Sequence, residues 1–351
     1  SANMRLVGAY GTLANRGAKQ SENHAFPAVP SRPQSSNISQ TLCILSAVSH
    51  GIRRLLAVIV GKTDLEAKML RVFVMIAVLA AGPAFGQAVK YEFGARDQPA
   101  NLPAEAHGSY AKGCLAGGVE LPITGPTWQA MRLERNRNWG HPEMLAFIER
   151  LGVAAQSAGW PGLLVGDISQ PRGGPMTSGH RSHQIGIDAD IWMRPGYDRE
   201  LSRAERAKIG SFTVTRGDHM DVNERWTDSH GEVLKAAASD PAVARIFVHA
   251  AIKRKLCQTA GDDRSWLRKI RPWWGHNAHF HVRLTCPLDS ANCINQAPPG
   301  PGDGCDETLD WWFSDEARNP KPDPNAPKKP RRKELTLADL PAACSGVLAA
   351  Q

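Results

Sequence analysis

The sequence predicts an α+β fold: a small, mostly antiparallel sheet with flanking helices and long loops pinned by disulfides. Three observations carry that expectation. Residues 185–193 and 278–284 alternate apolar and polar side chains with the period of a strand. Helical spacing falls in other segments, among them 142–155 and 229–238. Six cysteines follow residue 86, several of them in Gly- and Pro-rich surroundings.

Taken in order, residues 87–113 look irregular, with many Gly, Pro and Ala. Pro142 suits a first helical turn, and Met144, Ile148, Leu151 and Ala155 follow at helical spacing until Gly159 ends the helix. Residues 163–168 read as a short strand. The loop 171–179 contains Gly173-Gly174, which suits either close approach of a substrate backbone or a flexible turn. In 185–193, Ile185, Ile187, Ala189 and Ile191 share one face, and Gly186, Asp188, Asp190 and Trp192 share the other. Residues 229–238 suit a helix, 245–248 a strand and 250–257 another helix. In 278–284, His279, His281 and Arg283 stand opposite Phe280, Val282 and Leu284. Trp311-Trp312-Phe313 is expected to pack back on the body, and Cys344 to pin the tail.

The chain has 351 residues, and about 100–200 residues per domain allows one to three domains. Residues 69–86 have the layout of a secretory signal peptide. Lys68 and Arg71 are cationic, 72–81 is apolar, and Ala84 and Gly86 are small. The apolar run is short for a bilayer span, so no permanent anchor is expected. A buried core helix is the plainer alternative. Since a signal peptide belongs at an N-terminus, translation is expected to start at Met69, with 1–68 a disordered upstream extension. The folded domain is expected over 87–316, followed by a Pro/Lys/Arg-rich tail over 317–351.

Residues 1–86 hold nine Lys/Arg against three Asp/Glu, so most of the formal net charge of +8 lies in the leader. Residues 318–334 are basic and proline-rich, and the body between is close to neutral. This distribution argues against a nucleic-acid surface. The basic run suits an extended, solvated segment, or contact with an anionic polymer or membrane. An even cysteine count behind a signal peptide implies disulfides in an oxidising compartment. No C-x-x-C spacing occurs, which argues against a cysteine zinc site. Cys286 and Cys293 are near enough to close a short loop; spacing leaves the other pairings open.

Two segments concentrate chemistry-bearing side chains: 178–190 (SGHRSHQIGIDAD) and 273–283 (WWGHNAHFHVR). Residues two apart on a strand share a face, about 7 Å from one another. His279 and His281 therefore either bind one metal together, or one binds while the other stands beside a bound water. Asp190, with His183 from the loop before it, completes a three-ligand set with an open position, which is the catalytic form of zinc. Plainer readings are solvated loop histidines, and solvated turn residues or a calcium site at Asp188 and Asp190.

The run Ser178-Gly179-His180-x-Ser182-His183-Gln184-x-Gly186-x-Asp188-x-Asp190, with Trp273 to Arg283 downstream, resembles the penicillin-insensitive murein endopeptidases. These lie within the zinc peptidases that include lysostaphin-type enzymes and D-Ala-D-Ala metallopeptidases. The mark of that group, His-x6-Asp with a later His-x-His, reads here His183-x6-Asp190 and His279-x-His281. The resemblance extends from about Gly113 to Cys305. It implies zinc held by His183, Asp190 and His281, and His279 as general base or transition-state stabiliser. It further implies His276 as a second active-site histidine and His180 at an accessory metal position. The family's accessory Asp-x-x-His pair falls near 217–220, where this chain has Gly217 and Met220 beside Asp218 and His219. One catalytic Zn2+ is therefore expected, and a second ion is left open. The resemblance also implies disulfides Cys114–Cys344, Cys257–Cys305 and Cys286–Cys293.

The expected function is hydrolysis of peptidoglycan cross-link peptides in the periplasm. The resemblance implies D-Ala–meso-diaminopimelate bonds, with LD bonds a further option, and insensitivity to penicillin. Rival readings are a D,D-carboxypeptidase or dipeptidase on the same zinc frame, and a non-catalytic zinc- or wall-binding protein. DNA binding ranks last, because the positive charge sits in leader and tail.

Overall fold

A computed structural model describes residues 88–321 and 333–351. The expected upstream extension (1–68) and signal peptide (69–86), with most of the basic run, lie outside the described residues. From the N-terminal side come α1 (Val89–Gly94), the hairpin β1 (Glu105–Ser109) and β2 (Lys112–Ala116), then β3 (Val119–Glu120), β4 (Trp128–Ala130) and β5 (Trp139–Gly140). Next are α2 (Pro142–Ser157), β6 (Leu163–Val165), β7 (Asp188–Trp192), α3 (Arg203–Lys208) and α4 (Asp228–Ser239). The chain continues through β8 (Val243–Val248), α5 (Ala250–Thr259), β9 (Ile270–Pro272) and β10 (His279–Leu284), and α6 (Ala343–Ala349) follows near the C-terminus.

Six strands form the central sheet in the order β4-β6-β7-β10-β8-β9. The three inner pairings, β6–β7, β7–β10 and β10–β8, are antiparallel, and the outer two are parallel. The expected α+β class and mostly antiparallel sheet are both present. Phe280, Val282 and Leu284 from β10, Ala189 and Ile191 from β7, and Ile246 and Val248 from β8 are buried in one core cluster. Phe147, Ile148 and Leu151 of α2, with Val233 and Leu234 of α4, belong to the same cluster. Each such aliphatic or aromatic side chain stabilises the fold by roughly 1.5–3 kcal/mol on burial.

That burial fixes the strand register, because a one-residue slip would turn every core residue of β10 outward. It also fixes what the opposite face carries. His281 stands directly across from Asp190 on β7 and from Phe247 on β8, and Arg283 stands across from Asp188 and Arg245.

Two expectations change. Residues 87–113 are not irregular: they hold α1 and β1 and begin β2. The hairpin segments EAHGS and KGCLA have no β-branched residue, so strand propensity gave no signal. Tertiary contacts set them instead. Gly108 exchanges backbone hydrogen bonds with Asn292 and Ile294 at 2.9 and 2.8 Å, and Val89 and Phe93 pack with Leu340, Val347 and Leu348 in a second small core. The close approach at Gly173-Gly174 is made by the chain itself, not left for a substrate. A Cβ at Gly173 would lie 2.1 Å from the Gln184 carbonyl oxygen, and one at Gly174 would lie 2.2 Å from Cγ of Phe93.

All three implied disulfides are formed: Cys114–Cys344, Cys257–Cys305 and Cys286–Cys293. The first ties α6 to β2. Arg172 adds to that tie, because its Nη1 donates to the carbonyls of Val347, Leu348 and Ala350 at 2.9, 2.9 and 2.6 Å. Trp312 packs on Trp274 with ring centroids 4.8 Å apart, and the Arg254 guanidinium lies 3.7 Å from the Phe313 ring centroid. Among the described residues no helix is long and apolar enough to cross a membrane.

Candidate metal centre

Antiparallel pairing of β7 with β10 brings residues 190 and 281 together from positions ninety-one apart in sequence. The loop before β7 delivers His183. Its backbone is left-handed, with φ of 67°, a conformation that costs a non-glycine residue roughly 1–2 kcal/mol. Two hydrogen bonds hold it there. The His183 backbone N–H donates to Oδ2 of Asp188 at 3.1 Å, and its Nδ1–H donates to the carbonyl of Ile168 at 2.7 Å. Because a carbonyl only accepts, the second bond places the proton on Nδ1 and leaves the Nε2 lone pair free to bind a cation.

Nε2 of His183, Oδ1 of Asp190 and Nδ1 of His281 form a tight triangle. His183 lies 3.4 Å from Asp190 and 3.2 Å from His281, and His281 lies 3.2 Å from Asp190. Zinc bonds of ~2.0–2.1 Å in tetrahedral array give ligand atoms ~3.3–3.4 Å apart. The donors present therefore match one face of a zinc tetrahedron. Asp190 Oδ1 is also buried with no hydrogen-bond partner among the described residues. A buried carboxylate oxygen left so is costly unless a cation satisfies it.

The surroundings keep the Asp190 carboxylate charged. Burial pushes the Asp190 carboxyl up, but His279, His183 and His281 outweigh it and hold the group well below the ordinary carboxylate range. For His281 burial acts downward, and Asp188 with Asp190 overcomes it, leaving the ring above its ordinary value. His281 Nε2 lies 3.1 Å from Oδ1 of Asp188, an ion-pair contact rather than an aligned hydrogen bond. Asp188 is fully buried and takes Arg283 Nε and Nη2 at 2.8 and 3.1 Å. It is neither a solvated turn residue nor near Asp190 in the manner of a calcium loop, since its oxygens are occupied by His183, His281 and Arg283.

His180 offers a second triad with His183 and Asp190. Its Nε2 lies 3.5 Å from the other Asp190 oxygen, Oδ2, and closer, at 3.1 Å, to Oδ2 of Asp167. Asp167 is further held by Arg137 at 2.8 Å and Arg135 at 3.2 Å. The shorter contact engages the His180 nitrogen with Asp167, so the triangle closed by His281 is the better metal cradle. His180 stands at its rim.

His279 lies outside the triangle, with Nε2 3.7 Å from Asp190 Oδ1, and is more exposed than the three donors. Its ring is 4.8 Å from that of His276. Burial lowers the basicity of both rings, and His276 falls to about 4, with His279 and His281 adding to the effect. The His276 Nδ1–H donates to the Trp274 carbonyl at 2.8 Å, so the neutral ring presents a lone pair at Nε2. His219 and His249 pair with each other at 5.1 Å between ring centroids, and Asp218 is engaged with Arg216 and the Met220 N–H.

Sequence reasoning passed over Asp167 and the buried role of Asp188. A carboxylate two residues past the apolar strand at 163–165, and an Asp-x-Asp sharing a face with His281, were the available signals.

A model of the family described as penicillin-insensitive murein endopeptidase matches residues 106–349. Among curated relatives, the penicillin-insensitive murein endopeptidase of Haemophilus influenzae is 53% identical over 207 residues, covering 59% of this chain and 72% of that protein. The protein of the same name from Klebsiella pneumoniae is 38% identical over 275 residues, covering 78% and 97%. Its counterpart from Salmonella typhimurium is 42% identical over 246 residues, covering 70% and 86%.

Proposed function

The chain belongs to the penicillin-insensitive murein endopeptidases, peptidases that cleave peptidoglycan, and on that premise we propose a zinc-dependent hydrolase of peptide cross-links acting in the periplasm. The bonds proposed are those between D-Ala and meso-diaminopimelate, with LD bonds as secondary targets. The observation that carries the zinc assignment is the triangle of His183, Asp190 and His281 around an otherwise unpartnered carboxylate oxygen.

When bound, the ion supplies Lewis acidity at the scissile carbonyl and lowers the pKa of water toward ~7. The protein's own part is orientation and proton handling. Asp188 fixes the His281 ring, and the Ile168 carbonyl fixes that of His183. His279, 3.7 Å from Asp190 Oδ1 and outside the triangle, accepts the proton of the attacking water and returns it to the leaving amine. His276, with its Nδ1 proton given to Trp274, offers an acceptor and so suits proton relay better than oxyanion donation. His180, held by Asp167, borders the cradle. No serine is acylated in this scheme, which is the physical reason penicillin leaves it untouched.

His279 and His276 beside the ligands also favour an enzyme over a binding protein, since binding alone needs no base. The test is chromatography of muropeptides from digested sacculi, with and without a chelator. Cross-linked dimers should convert to monomers, the chelator should stop this, and zinc should restore it. Zinc uptake without monomer release would favour the binding protein; loss of only a terminal D-alanine would favour the carboxypeptidase.

A further inference from the structure

Beside the metal cradle lies a cavity of about 390 Å³, reached from His281, His276 and His180 on one side and walled by Phe247 and Trp273. Its charged lining is entirely cationic. Arg181, Arg245 and Arg283 line it, and no Asp or Glu does among the described residues. Of these, Arg283 is matched, because Asp188 takes two of its nitrogens and Gln296 a third. Arg245 is not. Its Nη2 donates to the Ala297 carbonyl, and no ion-pair partner stands near it among the described residues.

Its position makes this costly. Arg245 on β8 pairs directly across from Arg283 on β10, and like charges directly opposite destabilise a sheet. Arg271 of β9 adds a further cation, and together with burial these charges oppose ionisation of Arg245. An unmatched guanidinium in a partly buried cluster of cations is an anion site in want of its anion. The register also sets its distance from the chemistry. His281 is two residues from Arg283, so Arg245 is the diagonal neighbour of His281, about 7–8 Å away by backbone.

Resting on the proposed endopeptidase function, we infer that Arg245, with Arg181 at the rim, binds a free carboxylate on the residue that supplies the leaving amine. The anion would sit on the carbon next to the scissile nitrogen. A cross-link whose amine side ends in a free α-carboxylate meets this requirement, and one whose carboxylate is amidated does not. Arg245 is thus a specificity residue that selects the bond by the charge beside it.

The test uses a purified cross-linked muropeptide dimer and the same dimer amidated at that carboxylate. Calorimetric titration of each into chelator-treated full-length protein measures binding without turnover, and steady-state cleavage by the zinc-loaded protein measures kcat/KM. The acid should bind and react about 10–100-fold better than the amide, the worth of a charge-assisted hydrogen-bonded pair. Arg245→Gln should erase the preference chiefly through KM, and Arg245→Lys should restore part of it. Equal handling of acid and amide by the unaltered protein overturns the assignment, whatever the variants do, and so does a preference undiminished in Arg245→Gln. Cleavage of neither dimer would instead count against the endopeptidase reading.

Discussion

Asp188 Oδ1 lies 3.1 Å from Nε2 of His281, on the edge of the ring opposite the Nδ1 that meets Asp190. The same carboxylate accepts the His183 backbone N–H and both nearer nitrogens of Arg283. One buried side chain therefore orients two of the three proposed metal donors. Asp188→Asn should weaken zinc binding by about 10–100-fold, read by competition with a chromophoric chelator. It should also destabilise the fold, because Arg283 loses the partner of a buried ion pair, a change that costs about 3–5 kcal/mol. Zinc affinity unchanged in a folded Asp188→Asn protein would remove Asp188 from the site.

His281→Ala and His279→Ala should part company. The first removes a donor, so metal content and cleavage should vanish together. The second spares the triangle, so zinc should remain at one per chain while turnover falls by about 10²–10⁴-fold. Metal analysis alongside muropeptide chromatography reads both. Full activity in metal-free His281→Ala protein would defeat the assignment.

His230 should give the fold an acid-sensitive joint. Its Nδ1 accepts the Thr227 N–H at 3.0 Å, and its Nε2–H donates to the Met193 carbonyl at 2.9 Å, so only the neutral ring satisfies both. Burial holds its pKa below the ordinary 6.5, against a smaller upward contribution from the Met193 carbonyl. Below pH 6.5 the unfolded chain then binds the proton that the folded chain refuses. The stability present above that pH is lost as pH falls toward the folded value. Calorimetry from pH 7 to pH 5 should show a falling midpoint, with a shallower fall in His230→Gln. Equal slopes would rule out the contribution.

Removing the Cys114–Cys344 bridge should loosen the small core beneath α6. The bridge spans 230 positions, and loss of a native disulfide costs about 2–5 kcal/mol. A Cys114→Ala/Cys344→Ala protein should unfold at lower temperature and become cleavable by protease near 343–349, while the triangle keeps its zinc. Unchanged protease resistance there would show that Arg172 and apolar packing hold the helix without the bridge.

Where burial is one-sided, the sequence was readable. The alternation Phe280, Val282, Leu284 announced β10 and put His279, His281 and Arg283 on its other face before any coordinates. Helices α2 and α4 were legible for the same reason, since their apolar stripes repeat at helical spacing. The hairpin at 105–116 was not, because its Gly, Ala, His and Cys carry little strand propensity, and the groups that anchor the β1–β2 pair, Asn292, Ile294 and Cys344, lie far along the chain. Asp188 is the instructive case at the site. As a residue type beside Asp190 it suited calcium or solvent; only the register that sets it opposite Arg283 shows where its oxygens go. Asp167 needed the fold as well, since Arg137 and His180 reach it from separate loops.

The pairing of β2 with α6 bears on the order in which the molecule can be completed. The hairpin precedes its cover by more than two hundred residues, so a partly synthesised chain holds Val89, Phe93 and Cys114 bare until residues 340–348 arrive. Closure of that corner waits on residues 340–348, whereas the sheet that carries the triangle is complete in sequence by Leu284.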